Sequence, residues 1–101
     1  MNSKIKSKDV DFLFDAILQL RTREECYMLF EDLCTVQEMK ALSQRLVVAK
    51  MLSEGRVYSE IVKTTGASTA TISRVNRSLS YGTGAYDKIF ARIKGQKDAE
   101  E

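Results

Sequence analysis

The chain has 101 residues and a mass of 11.4 kDa, enough for one hydrophobic core and too little for two. Hydrophobic residues make up 44% and charged residues 30%, with 5 Gly and no Pro. That composition excludes disordered and collagen-like classes and, with no proline to break a helix, permits a nearly all-helical reading. The formal charge of +2 conceals a gradient: residues 1–55 net −1, residues 56–97 net +6 and residues 98–101 net −3. Such asymmetry points to a polyanion such as nucleic acid, or more blandly to a solvated basic face.

No apolar run approaches the ~20 residues of a membrane span, and Met1-Asn2-Ser3-Lys4 leads into charge rather than a signal-peptide core. A soluble, cytoplasmic chain without a membrane partner is expected. Cys26 and Cys34 are the only cysteines and histidine is absent. On one helix, eight residues at ~1.5 Å rise hold those thiols about 12 Å apart, beyond the ~7 Å reach of a disulfide. Two buried free thiols are the simpler reading. With no histidine to act as base or ligand, neither a catalytic nucleophile pair nor a metal site assembles; the chain reads as a non-enzyme without a cofactor.

In chain order, Val10, Leu13, Phe14, Ile17 and Leu18 form the i, i+3, i+4, i+7, i+8 stripe of a first helix. Phe12, Ala16 and Leu20 widen it beyond what one core face can cover, so the helix reads as a dimerisation element. Thr22 with Glu25 is a capping-box signal for a second helix, with Cys26, Leu29, Phe30 and Leu33 as its buried face. Thr35 with Glu38 repeats the signal for a third. There Met39, Leu42, Leu46, Val48, Ala49 and Leu52 keep helical period until Gly55 stops it.

Two short helices follow, about Tyr58 to Thr65 and Ser68 or Thr69 to Leu79, separated by Gly66-Ala67. Gly66 can take the positive φ that a tight turn demands, while Ile61 and Val62 face Ala67, Ile72 and Val75 in a shared core; the pair reads as a helix-turn-helix. Left outward on the second helix are Ser68, Thr69, Ala70, Thr71, Ser73, Arg74 and Arg77, with no acid among them. Small residues admit a helix to the ~12 Å major groove, hydroxyls bond phosphates or base edges, and arginines supply charge. Capping by Ser68 or Thr69 is compatible with that role. Tyr86, Ile89, Phe90 and Ile93 make a last helix that Gly95 closes. The expected organisation is one all-α domain over 1–101: dimerisation helices over about 10–55, the helix-turn-helix over about 57–79, a C-terminal helix over about 85–94 and a frayed tail over 97–101.

The run Glu38-Met-Lys-Ala-Leu-Ser-Gln-Arg-Leu-Val-Val-Ala-Lys-Met-Leu52, then Gly66-Ala-Ser-Thr-Ala-Thr-Ile-Ser-Arg74, then Ser78-Leu79, resembles the tryptophan repressor family, in particular its shorter YerC/YecD-type branch. The likeness spans about residues 10 to 95, and its specific parts are Ala-Thr-Ile-Ser-Arg and the long preceding helix with Arg45. The resemblance implies a six-helix fold in an intertwined homodimer, two reading heads entering successive major grooves of a palindromic operator on double-stranded DNA, and a role as transcriptional repressor. Thr69 and Ala70 match the base-reading start of the recognition helix, and Ser73 a hydroxyl further along. Tyr58 and Ser59 match operator-touching positions without the family's amide or arginine, which implies a different operator. Arg45 and Arg74 match the arginines that hold the corepressor in tryptophan-binding members, and Ser78 a residue beside that pocket. Those members have glycine after the second arginine. Val75 stands there in this chain, so no tryptophan response is expected and any small-molecule effector is unknown. Two alternatives stay open: a helix-turn-helix that docks protein without DNA, and a repressor answering another small molecule at the Arg45/Arg74 pocket.

Overall fold

A computed structural model describes residues 4–100; Met1-Asn2-Ser3 and Glu101 lie outside the described residues. The described residues form six helices and no strand: α1 (Lys8–Ile17), α2 (Arg23–Leu33), α3 (Val36–Ser53), α4 (Tyr58–Thr65), α5 (Thr69–Tyr81) and α6 (Ala85–Glu100). None is long and apolar enough to cross a membrane.

Side-chain chemistry sets most of the boundaries. Ser7 caps α1 by accepting from the Val10 N–H at 3.1 Å. Thr22 Oγ1 accepts from Glu25 N–H at 3.1 Å, and the Glu25 carboxylate reaches one residue further back than a standard capping box, to the Arg21 N–H at 2.9 Å. At α3 the box is reciprocal, with Glu38 N–H donating to Thr35 Oγ1 at 3.1 Å and Thr35 N–H to Glu38 Oε1 at 2.8 Å. The Thr35 backbone and hydroxyl together hold the Glu38 carboxyl below the usual carboxylate range. Gly55, at φ 79°, ends α3 in a Schellman motif: Arg56 N–H donates to Met51 O and Gly55 N–H to Leu52 O, both at 3.0 Å.

The chain falls into two compact units, the first ending at Met39 and the second starting at Lys40. Neither α1 nor α2 contains a buried residue. In the first unit Val10, Leu13, Ile17, Cys26, Leu29 and Phe30 are half-buried, while Phe12, Phe14, Leu18, Tyr27, Met28 and Leu33 are exposed. Leu33 therefore leaves the buried face assigned to α2, and Cys26 and Cys34 are half-buried free thiols where full burial was expected. Two short helices enclose too little volume to hide such an apolar surface.

The second unit carries the core: Val48 and Ala49 of α3, Ile61 of α4, Ala67 of the turn, and Ile72 and Val75 of α5, each at most 2% exposed. Met51, Leu52, Tyr86 and Phe90 pack around it. Tyr86 and Phe90 stack at 6.0 Å, and the Lys50 ammonium lies 5.8 Å from the Phe90 ring centre, tying α6 to α3. Helix α6 passes through Gly95 and ends at Glu100. The closure expected at Gly95 and the frayed tail from 97 are thus corrected for the described residues: Gly95 has no positive φ, and one glycine costs a helix only about 1 kcal/mol.

Candidate nucleic-acid interface

Helices α4 and α5 meet across Gly66, whose φ of 72° is the left-handed conformation that L side chains rarely adopt. Its N–H donates to Val62 O at 2.9 Å and ends α4. Thr65 braces the same turn from both sides, donating its hydroxyl to Ile61 O at 2.7 Å and accepting from Ala67 N–H at 3.1 Å. From α3, Gln44 Nε2 donates to Thr65 O at 3.2 Å, so a terminal carbonyl of α4 is satisfied and the turn is tied to the long helix. Neither Thr65 nor Gln44 stands out in the sequence. A brace that depends on a contact between residues 21 apart leaves no local pattern.

Ser68 is the N-cap of α5, accepting from Thr71 N–H at 3.1 Å and donating to Thr71 Oγ1 at 3.0 Å. Among the six helices α5 alone lacks an acidic residue in its first turn. Its positive dipole end therefore stays uncompensated and favourable to phosphate. Ile72 and Val75 point into the core, and at 100° per residue the opposite side carries Ala70, Arg74, Arg77 and Tyr81, all exposed. Ser59, Ser68, Thr69 and Ser73 are exposed as well, Tyr58 is 37% exposed, and Thr71 is half-buried with its hydroxyl engaged by Ser68. The fold thus collects the candidate residues of 68–77 on one helix.

Val62 is 37% exposed and leaves the core predicted for it. Arg74 lies on the outward stripe of α5, whereas Arg45 is half-buried on α3. Ser78 borders a hollow of about 340 Å³ between the end of α5 and the start of α6, lined also by Leu79, Gly82, Thr83 and Tyr86, and neither arginine lines it. Glu60, the one acid of α4, is ion-paired with Arg56.

The family model of the Trp repressor protein matches residues 8–94. The uncharacterized protein YerC of Bacillus subtilis is 54% identical over 91 residues, 90% of this chain and 88% of that protein. A candidate Trp repressor from Staphylococcus aureus, known as a crystal structure, is 56% identical with a TM-score of 0.87, over 90% of this chain and 91% of that one. A crystal structure of a TrpR-like protein from Eubacterium eligens is likewise 56% identical, with a TM-score of 0.88 over 92% and 96%. The fold, the helix-turn-helix turn at Gly66 and these likenesses agree: the chain belongs to the Trp repressor family, as a YerC-type member.

Proposed function

We propose that the chain is a sequence-specific DNA-binding transcriptional regulator, acting as a repressor from a homodimer on a palindromic operator. The observation that carries this reading is the outward side of α5, on which Ser68, Thr69, Ala70, Ser73, Arg74 and Arg77 stand exposed above an acid-free N-terminus, with Tyr58 and Ser59 at the start of α4. Thr69, Ala70 and Ser73 meet base edges; Arg74 and Arg77 meet phosphates. The dimer is supported by the apolar side chains that α1 and α2 leave exposed.

Fluorescence anisotropy on random and selected duplexes tests the reading. Affinity should fall with salt at a log–log slope of about −0.9 per phosphate contact, and Arg77→Ala should shallow that slope by about 1 on every sequence. Library selection should recover a palindrome with half-sites about 34–36 Å apart. Absence of binding at ~50 mM salt overturns the proposal.

The regulator works without tryptophan. Val75 is 2% exposed and belongs to the core formed with Val48, Ala49, Ile61, Ala67 and Ile72, so its isopropyl group takes up space that glycine leaves free in tryptophan-binding relatives. Forcing a ring against a filled site costs about 1–3 kcal/mol. Calorimetric titration with L-tryptophan should show no micromolar binding, and operator affinity should be the same with and without it; micromolar heat would overturn this part.

A further inference from the structure

We infer that the phenol of Tyr81 is a DNA backbone contact, donating its hydroxyl hydrogen to a phosphate oxygen at the far edge of the site read by α5. The inference rests on the DNA-binding reading above and deepens it. Tyr81 is 86% exposed, the highest value among the exposed large hydrophobic side chains, and its hydroxyl has no hydrogen-bond partner among the described residues. An aromatic ring held so far into solvent contributes nothing to the core. Its direction is set, because Tyr81 follows Ala70, Arg74 and Arg77 at i+11, i+7 and i+4 on one side of the helix, opposite the buried Ile72 and Val75.

The end of α5 is fixed at this residue. Gly82 N–H donates to Ser78 O at 2.8 Å, and a Cβ at position 82 would stand 2.2 Å from that same oxygen, so the helix closes tightly just after Tyr81. Eleven residues at ~1.5 Å separate Ala70 from Tyr81 by about 16 Å along the axis, more than the ~12 Å width of the major groove. With its N-terminal turn among base edges and its axis lying across the groove, the helix carries its last turn to the phosphate rim. There a neutral O–H donor suits a phosphate oxygen, as tyrosine does at many DNA backbones.

The charge of the two contact types separates them experimentally. A phenol displaces no counterion from DNA, whereas an arginine does. Tyr81→Phe removes one exposed oxygen, and should weaken binding to all duplexes roughly 3- to 10-fold with an unchanged salt slope, unchanged sequence preference and unchanged melting temperature. Arg77→Ala should lower the slope in parallel. Wild-type affinity in Tyr81→Phe, a changed sequence preference, or weakened binding accompanied by a shifted melting temperature would each overturn the inference. Where the wild-type chain itself fails to bind DNA, the functional reading falls first; where it binds and Tyr81→Phe binds equally, only the Tyr81 contact falls.

Discussion

Ile72→Ala is expected to destabilise the second unit by about 2–5 kcal/mol, as large-to-small changes in packed cores do. Ile72 is 0% exposed and is one of six buried residues among those described, with Val48, Ala49, Ile61, Ala67 and Val75 as its companions. Half of the fully buried cluster therefore comes from α5 and the turn before it. A cavity at Ile72 has few neighbours able to collapse into it, and the loss is a large fraction of the ~5–15 kcal/mol that stabilises a typical domain. Urea denaturation followed by circular dichroism should show a lower midpoint with an unchanged slope. Val62→Ala, at a side chain 37% exposed, should cost less than about 1 kcal/mol. Equal costs at the two positions would contradict a core centred on Ile72.

The double variant Phe14→Asp, Leu18→Asp is expected to abolish the proposed homodimer. Phe14 is 45% exposed on α1 and Leu18, its C-cap, is 77% exposed. Were they true surface positions, each aspartate would change stability by no more than about 0.5 kcal/mol. Buried against a second copy, each would instead place a carboxylate in an apolar interface and cost on the order of 2 kcal/mol or more. The magnitude decides between the two situations. Sedimentation velocity should give a dimer for the wild type and a monomer for the variant, with operator affinity lost together with the second reading head. A wild-type monomer, or a variant that stays dimeric and equally stable, contradicts the dimer.

Much of the helix-turn-helix was legible from residue types alone. Gly66 was identifiable because only glycine takes its φ of 72° without penalty. The Thr35–Glu38 cap and the stop at Gly55 were legible for a similar reason: each is completed within a few residues. Ile61, Ala67, Ile72 and Val75 followed from period and from the geometry of a tight turn. Val62 lies at the edge of its helix face and not in the core, a distinction that period alone does not make. Gly95 does not end α6, because a glycine stops a helix only where the chain turns, and α6 does not turn there.

The outward residues of α5 were visible as a chemical type, small, hydroxylic and basic, but their arrangement was not. Arg74 and Tyr81 share a stripe because α5 extends to Tyr81 instead of ending at Leu79, and its length depends on how Gly82 closes against Ser78. Gln44 and Thr65 were invisible because their contact joins α3 to the end of α4 across 21 residues.

By itself the sequence determined the all-helical class, the tight turn at Gly66, the basic charge of residues 56–97 and the family resemblance, since each depends on backbone preference, local spacing or residue chemistry. Only the tertiary structure decided that the buried residues among those described all lie in the second unit, that α1 and α2 are at most half-buried, and that Tyr81 stands clear of the core beside Arg77. Those outcomes depend on which apolar faces find partners. Burial is a property of packed surfaces, and periodicity names a face without naming what covers it.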